Sequence, residues 1–338
     1  MRKIRVAALV HELLVPPDNP KKSDVTTAEW KTEFDVVSTL REQGHEVQPV
    51  GVGDDLGVIR RMLEEFKPRI VFNLLEEFAG NALFDQNVVS YLELKKARYT
   101  GCNPRGLILA RDKALSKKIF AWHRVPTPEF AVFPLNRRIK RPKGLEFPIL
   151  VKSLIEEASM GINSASLVHN DDELMDRVEH LHNDVRTDAI GERYVEGREF
   201  YVGLMGNERL QVFPIWEIFL DDLPSGMPRI ATERVKFDLA FQKKHKIDTG
   251  PARELPDGVA EKIIRTCKRA YRALGLSGYA RMDLRMDAKG HFFILEANPN
   301  PQLAYGEDLA ESAENVGIKY EMLLQKIMSL GLRYRRRC

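Results

Sequence analysis

One stretch near the C-terminus leaves the chain little freedom. Ala280-Arg281-Met282-Asp283-Leu284-Arg285-Met286-Asp287 alternates apolar and polar residues, and Asp287-Ala288-Lys289-Gly290 leads from it into Phe292-Phe293-Ile294-Leu295-Glu296-Ala297-Asn298. Side chains that alternate with a period of two belong to a strand, and two such runs around an Asp/Gly turn predict an antiparallel hairpin. Arg281, Asp283, Arg285 and Asp287 then share one face, as do Glu296 and Asn298. A register centred on Lys289-Gly290 sets Asp283 opposite Glu296 and Arg281 opposite Asn298; a glycine bulge would move it. Two carboxylates facing across a hairpin repel unless a cation or a proton sits between them. Oxygen donors in small number suit Mg²⁺, which keeps waters and completes its shell with substrate phosphates. The competing reading, a solvated outer face, sits badly with apolar Phe292, Phe293 and Leu295 alongside.

The 338 residues exceed one comfortable core and suit two or three modest α/β lobes with a cleft between them. Residues 4–10 read as a buried strand. Residues 27–43 carry Trp30, Phe34, Val37 and Leu40 at helical spacing and close on Gly44. Strands over 45–52 and 69–75 flank a helix marked by Val58, Met62, Leu63 and Phe66, which stops before Pro68. This alternation predicts a doubly wound parallel sheet; with a helix over 84–96, the first lobe is expected to span 1–105. A second lobe, 106–204, is expected to hold a helix over 110–123, a strand over 147–152, a helix over 171–185, and strands over 190–195 and 199–204. A third, 205–338, follows with a polar loop over 223–256, a helix over 258–274, the hairpin, and a helix over 320–330. No internal repeat or low-complexity tract interrupts the chain.

A net charge of +3 with 30% charged residues does not advertise a nucleic-acid surface. Cys102, Cys267 and Cys338 lack CxxC spacing, which argues against a disulfide framework or a cysteine zinc site. Val6 to Val10 is too short for a signal sequence, and no run approaches the ~20 apolar residues of a membrane span. A cytoplasmic protein acting on small molecules, with no nucleic-acid or membrane partner, is expected. Arg333-Tyr334-Arg335-Arg336-Arg337 reads as a solvated tail.

No GxxxxGK[ST] occurs, so phosphate must be met by other groups. Lys152 ends an apolar strand, a place where a lone lysine is usually just solvated. It is followed by Glu157-Ala158-Ser159-Met160-Gly161, a loop whose amides and Ser159 hydroxyl can cover phosphate oxygens. Gly51-Val52-Gly53 has the wrong spacing for a dinucleotide fingerprint and reads as a turn.

In order, Asp112-Lys113, residues 147–161, the run Glu192-Arg193-Tyr194-Val195-Glu196-Gly197-Arg198-Glu199, Lys236-Phe237 and residues 278–301 resemble the ATP-grasp superfamily, most closely its D-alanine:D-alanine ligase branch. The first lobe matches loosely. The resemblance implies an ATP-grasp fold, two antiparallel-sheet lobes closing on ATP behind a parallel-sheet N-terminal domain. It implies Lys113, Lys152 and Ser159 on the phosphates, Glu192, Tyr194 and Val195 around adenine, and Glu199 on the ribose. Lys236 would close on the γ-phosphate, and Asp283, Glu296 and Asn298 would hold two Mg²⁺ ions, for which Mn²⁺ can substitute. The implied reaction passes the γ-phosphoryl group to a carboxylate, and an amine then attacks the acyl phosphate, with Arg281 steadying the oxyanion. Small carboxylate and amine substrates, amino acids or peptides, and a homodimer are carried over with it.

Several positions depart from that branch. His11-Glu12-Leu13 stands where a glycine pair and a glutamate are usual, and Asn298-Pro299-Asn300-Pro301-Gln302 replaces a Ser-Pro-Gly. Glu307-Asp308 replaces a serine and leucine, Phe237 a tyrosine, and Glu157 a glycine. An altered pocket of His11, Glu12, Phe237, Gln302, Glu307 and Asp308 is therefore expected, with an acceptor bearing a cationic group or an amidated end. The reading is an ATP-dependent carboxylate-amine ligase. A genuine D-alanine:D-alanine ligase of peptidoglycan synthesis is the alternative, and a catalytically inactive ATP-binding regulatory protein is the rival of another class.

Overall fold

A computed structural model describes residues 3–21, 25–155, 161–224 and 226–335. Arg336, Arg337 and Cys338 lie outside them. Among the described residues the strands form three sheets. In the first, β1 (Arg5–His11) lies between β2 (Glu46–Val52) and β3 (Ile70–Asn73), parallel to both. Val6 to Val10 are buried throughout, as expected of a parallel strand covered on both faces. The covers come from distant parts of the chain. Helix Lys31–Glu42 and the C-terminal helix Tyr320–Arg333 share one core, in which Val36 and Leu40 meet Phe72, Leu323 and Ile327. Gly331 permits this approach, since a Cβ there would lie 2.2 Å from the Tyr99 carbonyl oxygen.

The second sheet runs in the order β4-β7-β5-β6, from β4 (Phe130–Phe133), β5 (Ile149–Ser153), β6 (Leu167–Val168) and β7 (Ala189–Arg193), with antiparallel neighbours. Helix Asp171–His180 closes it, and Phe133, Ile149, Val151, Leu174 and Val178 belong to a core of its own. After residues 194–197 the chain enters the third sheet, β8 (Arg198–Met205), β9 (Gln211–Phe219), β10 (Asp248–Pro251), β11 (Tyr279–Met286) and β12 (Phe292–Pro299), ordered β10-β9-β8-β11-β12. Helix Val259–Ala273 backs that sheet with Ile263, Cys267 and Ala270. No helix among the described residues is long and apolar enough to cross a membrane.

Two expectations change. The helix over 110–123 is two helices, Pro104–Arg111 and Lys113–Trp122, because Asp112 is extended (φ −77°, ψ 101°) and its Oδ1 accepts from the Leu115 N–H at 2.8 Å. The polar loop over 223–256 contains helices Glu233–Phe237 and Leu239–Lys244 and strand β10, each too short to show a periodic pattern. The hairpin pairs Arg281 with Asn298 and Asp283 with Glu296, as its alternation predicts. Nearer the turn Leu284 pairs with Ile294, which leaves Leu295 as an extra bulged residue.

Candidate active site

Lys113, Lys152, Glu192, Lys236, Asp283 and Glu296 line one cleft between the second and third sheets, together with Tyr194, Val195 and Glu199. Lys113 begins its helix immediately after the Asp112 cap, and Lys152 is delivered by the apolar strand β5. The Lys152 Nζ lies 3.2 Å from Glu192 Oε1 and 4.0 Å from Glu296 Oε2. Burial opposes its charge, but Glu192 and Glu296 outweigh burial and raise its pKa above the ordinary lysine value.

Lys117 is a member of this cluster that sequence reasoning missed. It is 0% exposed; its Nζ donates to the Leu295 carbonyl oxygen at 2.8 Å and to Thr127 Oγ1 at 3.1 Å, and it lies 3.4 Å from Glu192 Oε2. The bulge thus supplies the backbone oxygen that holds a buried ammonium group. Burial, opposed by Glu192, brings Lys117 down to about 8. The signal was available: Lys113 and Lys117 are four residues apart, so they share a helix face. Glu192 sits between Lys117 and Lys152, which overcome its burial and keep its pKa below the ordinary value.

Asp283 is 4% exposed, and a fork from Arg281 holds it, Nε to Oδ1 at 2.7 Å and Nη2 to Oδ2 at 2.9 Å. The Arg281 guanidinium also lies 4.6 Å from the centre of the Tyr201 ring, and its Nη1 is 3.7 Å from Asp308 Oδ2. Asp308 is therefore compensated in part by Arg281 and is not the bare anion expected from sequence. Burial would raise Glu296, but Lys152 first, then Lys113, Lys236 and Arg281, hold its carboxyl well below the usual range.

The donors Asp283, Glu296 and Asn298 are oxygen-bearing and share one hairpin face, which fits Mg²⁺. No group of three His, Cys, Asp or Glu suited to a metal occurs among the described residues. A metal here would therefore depend on Asn298 and on phosphate oxygens. Asn298 Nδ2 is buried without a hydrogen-bond partner among the described residues; as a donor it suits an anionic oxygen such as a phosphate's, and only Oδ1 could meet a cation.

Arg285, which alternation placed on the same face without a role, is 3% exposed. Its Nη2 donates to the carbonyl oxygens of Gly197 and Arg229 at 2.8 Å each, and its guanidinium lies 4.8 Å from the centre of the Tyr194 ring. It braces the segment that carries Tyr194 into the cleft. Ser159 and Glu157 lie outside the described residues.

The expected substrate residues separate. His11 and Gln302 line a second cavity of about 340 Å³ beside the C-terminal end of β1. Glu12 turns away to Gly53, where a Cβ would lie 2.6 Å from its carboxyl group. Phe237 is 58% exposed on its short helix. Gln302 donates to Thr32 Oγ1 at 3.1 Å, and Asn300 Oδ1 accepts from the Cys102 N–H at 2.7 Å, so the chain after β12 is tied to the first lobe.

The family profile described as D-ala D-ala ligase C-terminus matches residues 121–329. An uncharacterized protein, y4sG of Sinorhizobium fredii, is 30% identical over 88% of this chain and 86% of its own length. The D-alanine–D-alanine ligase of Bordetella avium is 30% identical over 72% of this chain and 73% of its own. Among solved structures, D-alanine–D-alanine ligase from Bacillus anthracis complexed with ATP superposes with a TM-score of 0.74 at 22% identity, covering 98% of each chain. VanG D-Ala:D-Ser ligase from Enterococcus faecalis gives 0.69 at 17% identity, covering 98% of this chain and 100% of its own.

Proposed function

We propose, on the premise that this chain belongs to the D-alanine–D-alanine ligase family of ATP-grasp enzymes, that its cleft activates a carboxylate as an acyl phosphate and joins it to an amine. The enzyme class is that of ATP-dependent C–N ligases. The observation that carries the reading is the convergence of Lys113, Lys152 and Lys236 on the facing Asp283 and Glu296 in one cleft.

In this reading the lysines spread the charge of the phosphate oxygens, and Asp283, Glu296 and Asn298 would hold Mg²⁺, which when bound would supply charge neutralisation for phosphoryl transfer. Tyr194 and Val195 offer an apolar wall for a base, and Glu199, which lines the same cleft, would meet ribose hydroxyls. Glu192 is engaged by two lysines, so its first task is to position Lys152 and Lys117. Arg281, half-buried and stacked on Tyr201, has its Nε–Nη2 fork on Asp283, which leaves Nη1 to meet the oxyanion that forms when the amine attacks.

The ligases of Bordetella avium and Bacillus anthracis favour D-alanine as both substrates, whereas VanG, a D-Ala:D-Ser ligase, shares the fold with a different second substrate. The departures at His11, at residues 299–302 and at Glu307-Asp308 favour a different partner for at least one position. ADP release by the full chain with ATP and Mg²⁺, measured with D-alanine alone and then with a panel of amino acids and dipeptides, separates these. Robust D-alanyl-D-alanine synthesis supports the relatives' reaction, and release only with other acids or amines supports the altered pocket. No release with any of them would favour a binding-only protein and sink the ligase reading.

A further inference from the structure

The cavity beside β1 is strongly acidic in its lining. Four glutamates line it, Glu29, Glu33, Glu76 and Glu77, with no lysine or arginine among the lining residues. His11 is the one basic side chain there, and its Nε2 lies 3.3 Å from Glu77 Oε1. Lys31, on the same helix as Glu33, is engaged elsewhere, donating to Asp35 at 2.7 Å and to the Tyr305 carbonyl oxygen at 2.6 Å.

Glu33 is the second, independent sign. It is 5% exposed, and its Oε2 has no hydrogen-bond partner among the described residues. A glutamate in the first turn of a helix is ordinarily explained by the helix dipole or by turning back onto the N-cap amide. Neither explanation satisfies Oε2, and a buried carboxylate oxygen without a donor is costly to keep. Burial, and further down Glu76, lift Glu33 to about 7 against a backbone hydrogen bond that lowers it. A cation placed beside it would draw it back into the ionised range.

Two strands run from this cavity toward Arg281 and Asn298. Tyr279 and Asn300 line it. Arg281 lies two residues from Tyr279 along β11, and Asn298 two residues from Asn300 at the end of β12. At a rise of ~3.3 Å per residue, each step is about 7 Å. A side chain of three or four methylenes spans that interval. The volume of about 340 Å³ falls within the range of ligand clefts.

We propose that this cavity holds the cationic end of one substrate, an amino acid with a basic side chain or a peptide bearing one, while its α-carboxyl or α-amino group lies toward Arg281. The proposal rests on the ligase reading for the fate of that substrate, though not for its binding. Glu33 would be the specificity-determining residue, with Glu76 and Glu29 adding to the field around it.

Calorimetric titration of the full chain, with a non-hydrolysable ATP analogue and Mg²⁺ present, would use D- and L-forms of lysine and ornithine, Nε-acetyl-lysine and alanine. The acetylated compound keeps the chain and loses the charge. At least one free basic amino acid should bind roughly 10-fold or more tightly than Nε-acetyl-lysine and alanine, as a desolvated charge pair requires. In Glu33→Gln that ratio should shrink to within about 3-fold, with the melting temperature kept or raised because a strained charge has gone. Glu29→Gln, at the exposed rim, is the second variant and should weaken the preference less. Equal binding of free and acetylated lysine, an unchanged ratio in Glu33→Gln, or no binding tighter than about 10 mM by any of these compounds overturns the proposal. A basic preference without ADP release would support the cationic pocket and overturn the ligase reading; ADP release with alanine and no basic preference would do the reverse.

Discussion

Two buried carboxylates mark the difference between the grasping sheets and the cavity beside β1. Glu217, on β9, is 0% exposed and is held by Arg198 at 2.6 Å and Arg253 at 2.7 Å, which overcome burial and bring it to about 2. Glu33 is nearly as buried, has no lysine or arginine ion pair among the described residues, and stands at about 7. Within the candidate cleft the same internal compensation recurs where Lys117 and Lys152 meet Glu192, whereas burial outweighs Arg281 and leaves Asp283 above its ordinary value. Around Glu217 and Glu192 the protein supplies its own counter-charges. Beside β1, Glu33 has no such partner among the described residues, and a cationic ligand would supply one.

The most severe break of this comparison is removal of the metal. Chelation should lower amino-acid-dependent ADP release by about 10³-fold or more, with Mg²⁺ or Mn²⁺ restoring it, because lysines alone do not replace a divalent ion on the phosphates and Lys152 is already engaged by Glu192. Full activity in chelator would mean that the lysines alone meet the phosphates. Next in size, Arg281→Lys keeps the charge and loses the fork, and kcat should fall on the order of 10²-fold to 10³-fold with the KM for ATP little changed. A rise in that KM at constant kcat would assign Arg281 to the nucleotide instead of the oxyanion.

A smaller effect separates the two glutamates by pH. Native Glu33 holds its proton more tightly than the unfolded chain does, so stability falls as pH rises from about 4.5 to about 7, by up to about 3 kcal/mol. Glu33→Gln should flatten that window in urea unfolding. Native Glu217 releases its proton more readily, so its contribution is full above about pH 4.5 and is lost as pH falls toward about 2, on the order of 2 kcal/mol. Glu217→Gln should lessen the acid loss and cost stability near neutrality. Parallel pH profiles for the two variants would erase the distinction between them.

The part of the site legible in sequence is the part written in local periods. The alternation from Ala280 to Asp287 and its tight turn set the face of Asp283 and the register to Glu296, because a one-residue slip would turn every side chain over. The bulge at Leu295 was not legible, since an extra apolar residue in an apolar run leaves no mark. The spacing of Lys117 from Lys113 put it on the same helix face, but its burial was not legible, being imposed by Glu192, 75 residues on, and by the bulged carbonyl. Glu33 was masked by its position, for acids are expected in a first helical turn. Its isolation comes from the packing of residues 300–303 and Tyr279, far along the chain, around the same cavity. The short helices of 233–244 escaped because five or six residues hold too few turns to repeat a pattern.

The C-terminal helix on the first sheet sets an order of events during synthesis. The four-stranded sheet is complete once Arg193 has emerged, with a core drawn from residues 131–189. The core under β1 lacks Leu323, Leu324 and Ile327 until the last residues are made. The middle of the chain can therefore fold while its beginning waits for its end. Chains arrested after residue 200 should show protease-resistant second-sheet fragments before the N-terminal segment gains protection, and the reverse order would count against this sequence of folding.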